Sequence, residues 1–276
     1  MKPRRERLEA IGKAVLTGDP SALTTRIKGQ VPIDPTKQLV VEDQRIIGND
    51  FSSRRLGLFC AIATRFQQCS FRDIRIEDAV WGGGKKRSEY VECCFDGAKF
   101  RSVAPGNARF VNCSFRDIRI YELYGFDVEF INCVFTGRID AGYLNGTRDQ
   151  TRKRLRLSER LFGRKTNEIF GNDFSECELV DFAFRTGVDL EKQKLPIGQQ
   201  YLYLPNAALA IEKARNAVAL WPKDEIRRLA TIVLNIMADD LNAGQKQQFL
   251  RLPIRGEFAV PWEHLRHVLA ESVPNP

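Results

Sequence analysis

Large apolar side chains recur along the middle of this chain at every fifth residue. They fall at Phe51, Leu56, Ala61, Phe66, Phe71, Ile76 and Trp81, then at Tyr90, Phe95 and Phe100, and then at Phe110, Phe115 and Ile120. They continue at Phe130 and Phe135, and again at Ile169, Phe174, Leu179 and Phe184. Two residues before many of them stands a second, smaller apolar residue, as at Cys69, Ile74, Ala79, Ala98, Val103 and Val128. A period of five is neither the 3.6 of a helix nor the 2 of an ordinary strand. A chain that turns a corner every five residues satisfies it, with two residues of each five pointing in and three pointing out. Four such sides close a coil of 20 residues, and stacked coils pair through backbone hydrogen bonds roughly 4.8 Å apart. One coil cannot bury its own inner residues, so stability comes from stacking neighbours.

A longer repeat is visible on the cysteines. The form aromatic-x-x-Cys-x-Phe/Leu occurs at Phe66–Phe71, Tyr90–Phe95, Phe110–Phe115, Phe130–Phe135 and Phe174–Leu179. It places Cys69, Cys93, Cys113, Cys133 and Cys177 in one inward file, with steps of 24, 20, 20 and 44 residues. The first step carries four extra residues, assigned to a loop at Gly82–Lys86, and the last carries 24, assigned between Ala141 and Glu168. The octapeptide CSFRDIRI occurs at Cys69–Ile76 and again at Cys113–Ile120, so both copies fall on one side of the coil with Cys93–Phe100 between them. The inward file needs small apolar side chains, so its thiols read as packing rather than as metal ligands or redox groups.

These residues resemble the pentapeptide-repeat family, whose pattern is Ala-(Asp/Asn)-Leu-x-x in tandem. The matches are clearest over 65–81, 88–135 and 171–185, and both Gly48–Ser52 and Gly171–Ser175 read GNDFS. Phe replaces Leu at many central positions, and Pro105 and Gly125 also occupy central positions, where irregular corners are expected. The resemblance implies a mainly β protein, a right-handed quadrilateral β-helix. It also brings one function to test, because some members act as DNA mimics on gyrase, often as dimers with loops projecting from the coils.

The period of five does not cover the whole chain. Residues 1–40 read as an N-terminal helical cap, with Leu8, Ile11, Val15 and Leu16 on one face and a stop near Gly18–Pro20. The repeats occupy 41–195, with a basic helical insertion at about 145–166. Residues 200–276 read as an α-helical C-terminal unit, with amphipathic helices over Asn206–Leu220, Pro222–Asn242 and Trp262–Glu271.

Charge adds the candidate chemistry. The net charge of +8 favours an anionic partner. Much of it lies in the insertion, where Arg148, Arg152, Lys153, Arg154, Arg156, Arg160, Arg164 and Lys165 stand against Asp149 and Glu159. Leu155, Leu157, Leu161 and Phe162 give that segment helical spacing, so it reads as a short basic helix able to grip nucleic acid or an acidic protein face. On the coils, Arg75, Lys99 and Arg119 fall at equivalent outward positions, and Asp73, Glu77, Asp78, Asp117 and Glu122 are interleaved with them. No catalytic constellation appears. His264 and His267 stand three apart on a helix without a third ligand, and Gly82–Gly84 lacks the Lys-Ser/Thr ending of a phosphate loop. No cofactor is expected.

Seven cysteines, and an N-terminus that is basic yet carries Glu6 and Glu9 without a long apolar run, point to reduced thiols and a cytoplasmic setting. No run of apolar residues is long enough for a membrane span. The chain therefore reads as a non-catalytic interaction scaffold that binds a protein partner through the basic insertion or the helical unit. The alternatives are a modulator of gyrase and a direct nucleic-acid binder. The C-terminal helices offer a route to a homodimer.

Overall fold

The computed structural model describes residues 37–147, 165–222, 224–251 and 258–271. The expected N-terminal helix and nearly all of the basic insertion lie outside these residues. Within them the chain is a parallel β-solenoid followed by three helices. Strands on the first side of each coil, from Arg45–Ile47 to Ile169–Phe170, pair in register into a six-stranded parallel sheet. The other sides contribute to an 11-stranded parallel sheet. The first coil strand, Gln38–Glu42, already pairs with Leu58–Ile62, so the solenoid begins a few residues before the sequence pattern does.

The five-residue period has a backbone cause. Between the first and second sides the chain turns through Gly48, Gln68, Glu92, Asn112, Asn132 and Gly171, all at positive φ. Ser53, Asp73, Gly97 and Asp117 do the same one corner on. At these two corners a single left-handed residue redirects the strand, whereas the third-to-fourth corner lies within continuous strands such as Arg75–Gly83 without one.

Two aromatic columns fill the core. Phe51, Phe71, Phe95, Phe115, Phe135 and Phe174 stack with centroids 4.5–4.9 Å apart. Phe66, Tyr90, Phe110 and Phe130 form a second stack with spacings of 4.4–4.9 Å. The two stacks meet edge to face, as between Phe110 and Phe115 at 5.6 Å. Offset stacking and edge-to-face contact are both favourable ring geometries, worth about 0.5–1.5 kcal/mol per pair beyond burial. Phe at so many central positions therefore replaces the leucine column of the repeat pattern with a ring ladder.

The cysteine file needs one correction. Phe130 pairs with Ile169, and Phe135 stacks on Phe174, so Cys133 meets Asn172 rather than Cys177. Cys177 sits one corner further on, opposite Gly137. The sequence match slipped by one five-residue unit, because the long insertion hides how many units separate Cys133 from Cys177, and the coil is also one residue short. Gly137 closes that gap at a bulge, with φ 95° and so close to its neighbour that a Cβ would lie 2.4 Å from the Ile118 carbonyl oxygen. The inward file runs Cys69, Cys93, Cys113, Cys133 and then Asn172 and Gln193. Asn172 Nδ2 donates to the Phe130 carbonyl at 2.8 Å and to Gln193 Oε1 at 3.0 Å, and its Oδ1 accepts from Cys133 N at 3.0 Å.

The glycine stretch is partly strand. Gly82 and Gly83 end the strand Arg75–Gly83, and Asn107 clips the turn by donating from its backbone N to the Gly82 carbonyl and from Nδ2 to the Lys85 carbonyl. After the coils come α1 (Ala207–Ala219), α2 (Glu225–Asn242) and α3 (Ala259–Ala270). Asn206 and Asp224 cap the first two by accepting from the N–H three residues on. A two-stranded antiparallel ribbon, Tyr201–Leu204 with Gln248–Arg251, stands between solenoid and helices. The sequence pattern does not announce it. Tyr201, Tyr203 and Phe249 face the solenoid core, and Leu202, Leu204 and Leu250 face the helical core.

Candidate partner-binding surface

The structure brings Arg75, Lys99 and Arg119 into register on adjacent coils. It extends the column at both ends, because Arg55 pairs with Arg75 and Arg138 pairs with Arg119. Strand alternation turns all five outward from the core, just before the inward residues Leu56, Ile76, Phe100, Ile120 and Ile139. Sequence spacing alone missed Arg55 and Arg138. The signal for Arg138 was hidden by the one-residue contraction at Gly137.

The two ends of this column differ in electrostatics. Arg119 bonds Asp140 at 2.7 Å and lies over the Tyr121 ring. Arg138 bonds Asp140 at 2.6 Å and Glu178 at 2.7 Å, and Glu178 also receives Arg251 from the ribbon. Asp140 and Glu178 hold the Arg138 guanidinium in its charged form, raising its pKa above the ordinary value. Arg55, Arg75 and Lys99 are exposed and have no ion-pair partner among the described residues. The neighbouring columns are partly neutral: Arg101 bonds Glu77 at 3.2 Å, and Arg72 lies 3.8 Å from Asp96.

The first side of the coil shows the opposite arrangement. Arg65, Glu89, Arg109 and Glu129 alternate in sign along one outward column. The nearly buried Glu129 carboxylate is held by Arg87 at 2.9 Å and Arg109 at 3.4 Å, and Arg109 reaches Glu168 at 2.9 Å. From Arg65 onward that face is self-compensated, while Arg45 stacks on Arg65 at its start.

The insertion starts after Thr147 and returns at Thr166, which bridge each other as an antiparallel pair. Of its basic residues Lys165 is described, and it is exposed. Arg148, Arg152, Lys153, Arg154, Arg156, Arg160 and Arg164 lie outside the described residues. The insertion opens at the corner between the fourth and first sides, whereas the basic column runs along the third. The two ends of the insertion, Thr147 and Thr166, are therefore on a different side of the coil from the basic column.

The thiols are built for packing. Cys69, Cys93, Cys113 and Cys133 each point a sulfur at a main-chain carbonyl 3.4–3.5 Å away, two residues back in the chain. Burial pushes the Cys69 and Cys113 thiols up and Cys177 up to about 12, and the hydrogen bond with Cys113 raises Cys93. Cys94 points out beside Arg72, whose Nε is 3.1 Å from the sulfur. His264 and His267 are exposed on α3, with Trp221 edge-on to His264 at 5.9 Å. Among the described residues no three His, Cys, Asp or Glu side chains are grouped to hold a metal, and no helix is long and apolar enough to cross a membrane.

No family model and no curated protein matches this chain. Among solved structures it is similar to trypsin-treated QnrB1, a plasmid-mediated fluoroquinolone resistance protein. That match has 14% identity and a TM-score of 0.20 over 60% of this chain and 85% of that one. The assignment of the fold rests on the coils themselves: a five-residue period, in-register parallel stacking and left-handed corners make this a parallel β-solenoid.

Proposed function

We propose that the protein is a non-catalytic interaction scaffold whose rigid coils present a basic strip to an acidic protein face. The basic insertion and the helical unit are further contact elements. The observation that carries this reading is the contrast within one column. Arg55, Arg75 and Lys99 stack without counter-charges among the described residues, while Arg119 and Arg138 are tied to Asp140 and Glu178. Stacked like charges repel, and on the first side the column from Arg65 to Glu129 avoids this by alternating in sign. An anionic partner relieves the repulsion, and strands that fix the positions of the charges lower the cost of ordering them on binding.

The test is affinity capture from lysate with and without nuclease, using the full chain and the variant Arg55→Glu, Arg75→Glu, Lys99→Glu. A protein retained after nuclease and lost in the variant supports the reading. A partner unaffected by the triple reversal overturns it.

The composition of the insertion favours one second reading, direct binding of nucleic acid through Arg148–Lys165. That reading predicts partners that vanish with nuclease, affinity that falls steeply with salt, and loss on changing Arg152, Arg154 and Arg156 to Glu. Gyrase modulation by DNA mimicry needs an acidic surface, and the unpaired column has the other sign. Supercoiling is expected to be unaltered at micromolar protein.

A further inference from the structure

A cleft of about 300 Å³ lies where the last coil meets the helical unit. Its apolar walls include Phe184 from the coil, Val233 and Met237 from α2, Phe249 from the ribbon and Trp262 from α3. This volume is at the small end of the range of ligand sites and equals on the order of ten water molecules in the liquid.

Two buried polar atoms of residues lining it lack a hydrogen-bond partner among the described residues: Gln248 Oε1, and Arg185 Nε, which is in an ion pair instead. Gln248 is 5% exposed. Its Nε2 donates to the Met237 carbonyl at 2.8 Å, which fixes the side-chain amide, and its Oε1 has no hydrogen-bond partner among the described residues. A buried acceptor without a donor is an unfavourable arrangement that a ligand can relieve. The charges lining the cleft are already compensated. Arg185 Nε is 3.4 Å from Asp240 Oδ1, and its guanidinium lies over the Tyr143 ring at 5.3 Å. Burial also pushes the Asp240 carboxyl above its ordinary value, so this wall disfavours further charge.

We propose that this cleft binds a small, neutral, mostly apolar molecule carrying one N–H or O–H donor, which donates to Gln248 Oε1. Four elements meet at the cleft, so an occupant would tie the helical unit to the solenoid.

The chain has two methionines, Met237 in the cleft wall and Met1 at the start. Labelling their methyl carbons with ¹³C gives a local reporter and an internal control. Titration of the full chain with indole should move the Met237 signal saturably and leave Met1 in place. 1-Methylindole has the same ring without the donor and should bind about tenfold more weakly. Ala183→Leu, which fills the cleft from the coil side, should reduce the response to indole. A Met237 signal unmoved by millimolar indole overturns the proposal, and so does equal binding of the two indoles.

Discussion

The solenoid and the helical unit are ordered in different ways. In the solenoid each inner residue touches its own equivalents above and below, so one coil is supported by two others and the energy is a sum of neighbour contacts. In the helical unit the apolar faces of α1, α2 and α3 converge on one cluster around Trp262, Leu265 and Leu234, with no repeat to share a loss. The ribbon joins them by alternation: odd residues of Tyr201–Leu204 go to one core and even residues to the other. A second joint is polar. The fully buried Gln245 accepts from the N–H groups of Gly187 and Val188 at 3.0 Å and donates to the Val188 carbonyl at 2.9 Å. The lesson is that a repeat can be lengthened or shortened by coils, whereas the helical unit depends on the last coil being this one.

The largest expected effect separates inside from outside. Buried cysteines with raised pKa values stay protonated until well above the usual thiol range, so their reaction requires opening of the coils. Alkylation of the native protein is expected at Cys94 and not at the other six cysteines, and at all seven in denaturant, as read by intact mass. Rapid native labelling of Cys113 would break the picture of a closed core. Next, Phe115→Ala removes a ring from the centre of the stack and should cost about 3–5 kcal/mol. Circular dichroism should then show the strand signal melting earlier while the helical signal shifts less.

Gln245→Leu probes the joint. It strands three backbone groups of the last coil and should cost about 2–4 kcal/mol. The helical transition should move towards lower temperature ahead of the strand transition. A single, unsplit transition would show that the two units are one cooperative body. The smallest effect sharpens the comparison within the charged column. Arg138→Gln breaks two ion pairs and should cost about 1 kcal/mol, whereas Arg75→Gln should be neutral within about 0.5 kcal/mol or slightly stabilising. Equal losses would mean that Arg75 is as well compensated as Arg138.

Much of the solenoid was legible because its signal is redundant. Each coil repeats the aromatic pair, and a period of five excludes both ordinary helix and ordinary strand. What misled was an anchor residue. Cys177 looked like the fifth cysteine of the file, but Asn172 holds that place and Cys177 lies on the next corner. A cysteine motif is short and recurs in phase with the five-residue unit, so after an insertion of unknown length it can slip by one whole corner without a mark in the local sequence. The ribbon was illegible for a related reason. Its second strand, Gln248–Arg251, has four residues and a partner more than 40 positions away, so alternation had no length in which to show. In the charged column the register was readable, because Arg75, Lys99 and Arg119 follow the period. The counter-charges were less so, since Asp140 reaches Arg119, and Glu178 reaches Arg138, from the next coil.

The break at 147–166 has a further consequence. Its two ends are held together by contacts with each other and with the coil. Thr147 and Thr166 bridge each other, Thr147 N donates to Thr186 Oγ1, and Thr186 Oγ1 donates back to the Thr147 carbonyl. Asn167 Nδ2 pins the return by donating to the carbonyls of Phe126 and Asn145. With the endpoints fixed at adjacent positions, the entropy of closing a longer segment grows only with the logarithm of its length. Evolution, or a protein engineer, can therefore exchange the content of this segment with little penalty to the coils, which makes the position a socket for new specificity.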